Sequence, residues 1–292
     1  MDFNDLEKSL RRPRTLANVL LSGLVTCMTL LALIPLFSVI WMLLWRGGRK
    51  LSLALFTQLP PAPLEQGGGF GNAILGTLII VLLAALISVP LGILSALYMA
   101  QAPEESRLAS VVRFSAKVLT GFPSILAGVF AYGAVVLAMG GYSAIAGAVA
   151  VSILMLPTIM LTAEDAIRMV PAKMKEAAVG MGATKTQTVL MVLLPTAFPG
   201  ILTGIMLAVA RAAGETAPLL FTALFSNYWP LSGNHLNLAQ PTASLAVLIY
   251  NFSGMPFQNQ VEMAWAAALV MVLMVLITNL IGQSFSRRQV QS

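Results

Sequence analysis

An arginine and a glutamate interrupt the apolar segment 196–225. Arg211 and Glu215 are four residues apart, so on a helix they share one face and can form an ion pair. If this helix begins near Thr196 and crosses a bilayer, Arg211 lies about 22 Å along it, near or just beyond the middle of a hydrocarbon core roughly 30 Å thick. A charge at that depth costs about 2.5 to 3.5 kcal/mol on insertion scales and usually faces a cavity or a partner. A guanidinium there presents paired donors in a planar fork, which suits an anion with several oxygen atoms.

The pair of charges has two interpretations. In the first, Arg211 lines the path of an anion and Glu215 is its resting counter-ion. In the second, the pair only locks its helix to a neighbour. Gly214 and Pro218 would loosen the helix at this point and free backbone amides that help to bind an anion. The residues alone leave both interpretations open.

A second motif lies between the fourth and fifth apolar segments. It reads Glu176-Ala177-Ala178, three residues, Gly182, nine residues and then Val192-Leu193-Leu194-Pro195. Pro171 suits the first turn of a helix, since its φ is already set and its missing N–H would have no partner there. Gly182 suits the left-handed conformation that ends a helix. A helix, a turn and a second helix can dock in a groove of another protein, whereas the simpler alternative is an amphipathic loop resting on lipid headgroups.

These two motifs need a membrane scaffold to position them, and the composition predicts one. The chain has 292 residues, of which 58% are hydrophobic and 10% are charged, and its mean hydropathy is +0.86. A single soluble core could not hide that much apolar surface, so we predict an all-α, polytopic membrane protein.

Apolar stretches long enough to span a bilayer, which takes roughly 20 residues, predict six transmembrane helices, of which only the fifth carries charges, Arg211 and Glu215. The predicted spans are 16–45, 72–101, 118–139, 142–163, 196–225 and 263–283, with the core of the domain at about 72–283. The segments between and beyond them are predicted to be outer loops at 46–71 and 226–262, inner loops at 102–117 and 164–195, and tails at 1–15 and 284–292.

The basic residues indicate how the chain is oriented. With the N-terminus inside, the inner segments hold thirteen of the seventeen Lys and Arg residues, the outer loops hold three, and Arg211 lies in a span. Because basic residues concentrate on the cytoplasmic side, we predict that both termini are cytoplasmic. The net charge of +6 reflects this asymmetry, and no nucleic-acid partner is predicted.

Several chemistries have no support in the sequence. Cys27 is the only cysteine, and His235 has no second ligand near it in the sequence, so neither a metal site nor a cofactor site is predicted. The phosphate-binding pattern Gly-x-x-x-x-Gly-Lys-Ser/Thr does not occur. We therefore predict that the chain is not an enzyme and that any ATP hydrolysis belongs to another polypeptide.

The loop motif resembles that of the membrane-spanning permeases of ATP-binding-cassette importers, with Val192 where isoleucine is usual. More narrowly, the chain resembles the PstA-type permeases of bacterial phosphate-specific importers. The matching blocks are Ser52 to Thr57, Gly67-Gly68-Gly69 with Asn72-Ala73, Phe122 to Ile125, and Ala210 to Leu224. The run Arg-x-x-Gly-Glu-Thr-Ala-Pro within a span is specific to this group.

The resemblance implies a type I importer permease of the MetI-like fold and assigns roles to both motifs. It favours the anion-path interpretation and implies a substrate pathway at Arg211, Glu215 and Thr216. The residues that it implies for coupling to an ATPase are Lys173, Lys175, Glu176, Ala177, Ala178, Gly182 and Pro195.

The resemblance also implies partners and a location. The chain would pair with a homologous PstC-type permease, dock on a PstB-type ATPase dimer that binds ATP and Mg²⁺, and receive inorganic phosphate from a PstS-type binding protein. The complex would lie in the bacterial inner membrane, in contact with lipid. This permease would itself bind no cofactor.

One position departs from the family pattern. Relatives often carry arginine in a Pro-x-x-x-Arg-Thr-Thr-Glu run, whereas the run from Pro157 to Glu164 has Leu161 in that place, so no role in anion handling carries over to Leu161. Two alternatives remain open at this stage: the same machine for another oxyanion such as sulfate or molybdate, and an anion carrier that needs no ATPase.

Overall fold

The computed structural model describes residues 13–103, 105–232 and 235–290, with side chains up to residue 284. Most of the predicted tail 1–15 and the last two residues of the chain therefore lie outside the described residues. The helices are α1 (Pro13–Met42), α2 (Ala54–Thr57), α3 (Gly71–Gln101), α4 (Arg107–Thr120), α5 (Ser124–Ala131), α6 (Leu137–Met139), α7 (Ala144–Arg168), α8 (Ala172–Gly180), α9 (Lys185–Thr188), α10 (Leu194–Ala213), α11 (Ala217–Leu220), α12 (Leu245–Ser253) and α13 (Gln258–Val290). Two short strands, β1 (Leu231–Ser232) and β2 (His235–Leu236), form an antiparallel hairpin.

Three π-helical turns extend or join these helices. They are Leu43–Gly47 after α1, Tyr132–Val136 between α5 and α6, and Val189–Leu193 between α9 and α10. Within the described residues, five helical segments are long and apolar enough to cross a membrane, and a sixth crossing is possible if α4 and the helix from Ser124 to Met139 are counted as one bent span.

Helix α7 lies at the centre of the bundle, in contact with α3, α4, α5 and α10. Small residues allow this close packing, which in lipid replaces the hydrophobic drive between helices. A Cβ atom at Gly200 of α10 would lie 2.6 Å from the Cβ of Ala166, and one at Gly204 would overlap the hydroxyl of Thr162. Gly92 of α3 likewise packs directly on Ile159 of α7.

The third predicted span, 118–139, differs from the structure. Helix α4 ends at Thr120, α5 begins at Ser124, and the two meet at a bend of 106°. Pro123 explains the break, because it lacks an N–H for the helix ladder and disfavours the helical conformation of the residue before it. Most of the predicted inner loop 102–117 is thus helical.

The fifth predicted span, 196–225, also differs. Helix α10 ends at Ala213, and the short helix α11 begins only at Ala217. Pro218 has no N–H to bond the carbonyl of Gly214, and Gly214 itself weakens a helix by about 1 kcal/mol. The interruption at residues 214–216 therefore follows from two neighbouring residues that both disfavour a continuous helix.

The predicted outer loop 226–262 contains the β-hairpin and the helix α12. Helix α12 in this segment is largely buried, with Leu245, Val247 and Leu248 inaccessible to solvent. The N–H of Leu245 donates a 2.9 Å hydrogen bond to the hydroxyl of Thr77 in α3. This segment is therefore part of the folded core and covers one end of the bundle.

Candidate functional site

Arg211 and Glu215 form the predicted ion pair. The Arg211 Nε atom donates to Glu215 Oε1 at 3.2 Å, although Glu215 lies beyond the end of α10. The Arg211 side chain is 43% exposed and that of Glu215 is 13% exposed. Within the described residues, Glu215 is the one hydrogen-bond partner of this guanidinium, so its two Nη groups remain available for an anion.

The packing of α10 on α7 gives the depth of Arg211. Gly200 contacts Ala166 and Gly204 contacts Thr162, so the two helices run antiparallel in a defined register. In this register Arg211, seven residues after Gly204, lies level with Met155, seven residues before Thr162. Met155 is about 17 Å from the first residue of α7 and about 20 Å from its last at 1.5 Å per residue. Arg211, although close to the end of α10, therefore lies level with the middle of α7, a helix that is long enough to span a bilayer.

The residues after Glu215 fix the position of the segment that follows the break in the helix. Thr216 is half-buried, and its carbonyl accepts hydrogen bonds from the N–H groups of Leu219 and Leu220 in α11, while its side chain makes no capping bond. Pro218 packs on α5, where a Cβ atom at Gly128 would lie 2.6 Å from the Pro218 Cα atom. The broken segment is thus held against α5 and α7, with Arg211 and Glu215 at its start.

A cavity of about 210 Å³ lies between α3, α10 and α13 but does not include the charged pair. Its wall on α10 consists of Val209, Ala210 and Ala213. At 100° per residue, Arg211 points roughly 150° away from the centre of these three positions. The cavity is mainly apolar and faces away from the guanidinium, so it is not the site of anion binding.

The predicted coupling motif forms a helix with well-defined ends. Pro171 precedes the first residue of α8. At the other end Gly182 has a φ of +84°. The N–H of Ala183 bonds the carbonyl of Ala178, and the N–H of Gly182 bonds that of Val179. This is the Schellman arrangement, in which a left-handed glycine lets two otherwise unpaired carbonyls be satisfied.

The chain then turns into the next helix through a capping box. The Thr184 hydroxyl accepts from the N–H of Gln187, and the Gln187 side chain accepts from the N–H of Thr184. The π-helical turn that follows ends just before Pro195, which lies in the first turn of α10. Because Pro195 lacks an N–H, the regular ladder is interrupted there, and the wider turn accommodates it.

Most of α8 is not covered by the rest of the chain. Of the predicted coupling residues in this helix only Ala178 is buried, Lys175 is half-buried, and the others, Lys173, Glu176 and Ala177, are exposed. Four large apolar side chains in or next to this helix are also exposed, namely Met169, Met174, Val179 and Met181. The helix lies beyond the end of α7, about 20 Å from the level of Arg211. The structure therefore keeps the two predicted sites separate.

A third cluster of charged residues has no counterpart in the predicted sites. Glu164 is 3% exposed and binds two arginines. Arg113 of α4 donates to its Oε1 atom at 2.5 Å through Nη2, and Arg168, one turn farther along α7, donates to the same atom at 2.9 Å through Nε. The four-residue spacing of Glu164 and Arg168 was visible in the sequence, but the contact with Arg113, 51 residues away, was not.

Potential metal ligands are scattered. In the part of the chain that the structure describes, no three His, Cys, Asp or Glu side chains lie close enough together to hold a metal ion. His235 lies on the exposed hairpin and Cys27 on the exposed surface of α1.

Comparison with known proteins gives consistent matches over most of the chain. Residues 88–291 match the family described as "Binding-protein-dependent transport system inner membrane component". The chain is 40% identical to the phosphate transport system permease protein PstA of Yersinia pestis over 254 residues, which cover 86% of this chain and 84% of that protein. It is 36% identical to the probable phosphate transport system permease protein PstA of Methanocaldococcus jannaschii over 87% of this chain and 88% of that one.

Solved structures give the fold. The match to a chain of the bacterial alginate ABC transporter has a TM-score of 0.64 at 16% identity and covers 96% of this chain and 98% of that one. The match to the MetNI methionine ABC transporter in an inward-facing conformation has a TM-score of 0.58 at 20% identity and covers 75% and 93%. These similarities confirm the predicted all-α, importer-permease fold.

Proposed function

Because the chain belongs to the family of binding-protein-dependent transport system inner membrane components, we propose that it forms half of the pathway by which an ATP-driven importer moves inorganic phosphate. Its PstA-type relatives support phosphate as the substrate. The chain is a permease subunit and not an enzyme. It is a multi-pass protein of the inner membrane, and ATP hydrolysis belongs to a separate subunit.

The single structural observation that carries this proposal is the position of the Arg211 guanidinium. It lies at mid-depth in the bundle, beside a break in α10, and uses only its Nε atom to bind Glu215. Phosphate is a mono- or dianion at neutral pH, and a guanidinium binds such oxygens through paired, charge-assisted hydrogen bonds. In the proposed pathway, phosphate contacts the free Nη groups and shares the guanidinium with Glu215 during passage, and Thr216 adjoins this path.

The proposed energy input is at the other end of α7. Helix α8 and its exposed apolar residues would fit a groove of an ATPase, in the manner of an amphipathic helix. Lys173, Lys175 and Glu176 would border that contact, and the fixed turns at Gly182 and Pro195 would transmit movement of α8 to α10. ATP and Mg²⁺ would bind to the ATPase, not to this chain.

The proposed complex has four kinds of subunit. The family implies three partners for this chain: a second permease, an ATPase and a binding protein. We propose that these partners are of the PstC, PstB and PstS types, respectively. Both termini are proposed to be cytoplasmic, supported by thirteen basic residues on the proposed inner side against three on the outer side.

The direct test is radiolabelled phosphate uptake by cells that lack this chain and by the same cells complemented with it. Complementation should restore uptake, and excess arsenate, which resembles phosphate, should compete while sulfate should not. Competition by sulfate or molybdate in place of arsenate would assign the transporter to another oxyanion. Uptake by vesicles that contain this chain alone, without ATP or partners, would refute the ATP-driven permease.

A further inference from the structure

The buried Glu164 has no role in the proposed pathway, yet its surroundings are highly organised. In the described part of the chain it is the one charged side chain that is buried. Its carboxylate accepts from Arg113 of α4 and from Arg168 of α7. A buried carboxylate is tolerated only when paired charges and hydrogen bonds satisfy it, and here two guanidiniums supply both.

The same two guanidiniums also bind the end of α3. Arg113 Nη2 and Arg168 Nη2 donate to the carbonyl of Met99 at 3.3 and 3.0 Å. In a continuing helix this carbonyl would accept from the residue four positions later, but that residue is Pro103, which has no N–H. The cluster therefore joins three helices, α3, α4 and α7, at a single point.

On one side, the cluster of Glu164, Arg113 and Arg168 is connected to α8. Arg168 is the last residue of α7, and only three residues separate it from the first residue of α8. Within this linker Val170 is buried in the same apolar cluster as Leu193 of the following π-helical turn. A force on α8 therefore acts on a short, anchored linker directly below Arg168.

On the other side, the cluster leads to the charged pair. Arg113 lies in the middle of α4, and α4 joins α5 at the bend that contains Pro123. Helix α5 in turn contacts Pro218, three residues after Glu215, through the close approach at Gly128. An unbroken series of packed elements thus runs from α8 through Glu164, α4 and α5 to the segment beside Arg211.

We propose that Glu164 is a positioning residue that couples the ATPase-docking helix to the substrate pathway by holding α4 to the end of α7. This inference rests on the proposed function. A displacement of α8 would move Arg168 and Glu164 together, and the bond to Arg113 would pass the movement to α4 and across the bend to α5. Packed side chains and ion-pair networks of this kind can carry coupling between distant sites.

The negative charge is the essential property of Glu164. With Glu164→Gln, the side chain keeps its size, but the two guanidiniums near Met99 then repel each other without a carboxylate between them. With Arg113→Gln, the pair of Glu164 and Arg168 remains within α7, while the connection to α4 is lost. The second variant therefore tests the connection without leaving the buried carboxylate unpaired.

The experiment uses the complete transporter in proteoliposomes, with the phosphate-loaded binding protein. Phosphate uptake and ATP hydrolysis are measured for the wild type, Glu164→Gln, Arg113→Gln and the double variant. We expect both single variants to lower the stimulation of ATP hydrolysis by the binding protein by roughly 5- to 150-fold, the usual range of coupling between sites. The phosphate concentration for half-maximal uptake should change by less than about twofold, because the binding groups are intact.

The controls separate coupling from folding. Asp165→Asn changes the neighbouring, exposed carboxylate and should behave as the wild type. The double variant should be no worse than Glu164→Gln, since residues that act through one contact are non-additive. Three results would each overturn the proposal. They are unchanged stimulation of ATP hydrolysis in Arg113→Gln, an equal loss of this stimulation in Asp165→Asn, and failure of both single variants to assemble. If wild-type vesicles accumulate no phosphate, the proposed function itself fails.

Discussion

The pair of Arg211 and Glu215 makes a quantitative prediction, because its two members have unequal roles in an anion path and equal roles in a structural ion pair. The perturbations are Arg211→Gln, Arg211→Lys, Glu215→Gln and the double variant with Gln at both positions. In the path, only the guanidinium meets the anion, so loss of Arg211 should be severe and loss of Glu215 mild.

The expected magnitude follows from the geometry of the site. A hydrogen bond to a charged group contributes about 1.5 to 3 kcal/mol, so two bonds from the free Nη groups contribute about 3 to 6 kcal/mol. At about 1.4 kcal/mol per tenfold change, Arg211→Gln should reduce the initial rate of phosphate uptake at least a hundredfold. Arg211→Lys keeps the charge but not the fork and should lose about ten- to a hundredfold.

The structural contribution of the pair is much smaller. Arg211 is 43% exposed in this chain, and an exposed pair at four-residue spacing contributes about 0.5 kcal/mol or less. The amount of assembled complex should therefore stay close to that of the wild type in every variant. Initial uptake rates, divided by the amount of complex purified from the same cells, give the comparison, and Arg14→Gln at an exposed position of α1 is the matched control.

Two results would refute the anion path. If Arg211→Gln and Glu215→Gln lost uptake equally and the double variant regained it, the pair would be structural. Loss of the assembled complex in Arg211→Gln, with normal uptake per assembled complex, would lead to the same conclusion.

Three further substitutions test the packing around both sites. Gly204→Val should lower the melting temperature of the purified complex, because a Cβ atom would overlap Thr162 and overpacking costs about 1 to 3 kcal/mol. Gly182→Ala should weaken stimulation of ATP hydrolysis by the binding protein, because the φ of +84° costs an alanine about 1 to 2 kcal/mol and displaces the end of α8. Thr77→Val should lower the melting temperature, because the buried N–H at the start of α12 loses its acceptor, which costs about 1 to 3 kcal/mol.

Each of these substitutions has a control in the same chain. Gly23→Val and Gly180→Ala place side chains where no atom lies within 4 Å and φ is not positive, so both should match the wild type. Thr77→Ser keeps the hydroxyl and should retain most of the stability. A wild-type melting temperature in Gly204→Val or Thr77→Val, or wild-type stimulation in Gly182→Ala, would contradict the corresponding contact.

The local features of both sites could be read from the sequence. Pro171 fixes its own φ and Gly182 tolerates a positive φ, so the two residues indicated the ends of α8 without knowledge of any neighbour. Arg211 and Glu215 were expected to pair because a four-residue spacing brings two side chains together. The amount of apolar sequence required membrane-spanning helices, since no soluble core could bury it.

The breaks in the third and fifth spans were only partly predictable. Pro123 and Pro218 were visible, but a proline can either kink a membrane helix or end it, depending on which neighbours satisfy the freed backbone groups. The bend of 106° before α5 and the end of α10 at Ala213 depend on packing against α7.

The connection of Glu164 to Arg113 and Met99 was decided by the tertiary structure alone. Sequence determined that Glu164 could reach Arg168, because both lie on one helix, and that Pro103 would leave the Met99 carbonyl without a helical partner. Only the fit of α4 and α3 against the small residues of α7 brings these groups to one point. The number of residues between two side chains determines whether they meet within one helix. Contacts between helices depend instead on which helix faces pack together, and this packing is determined by the shapes of all the helices in the bundle.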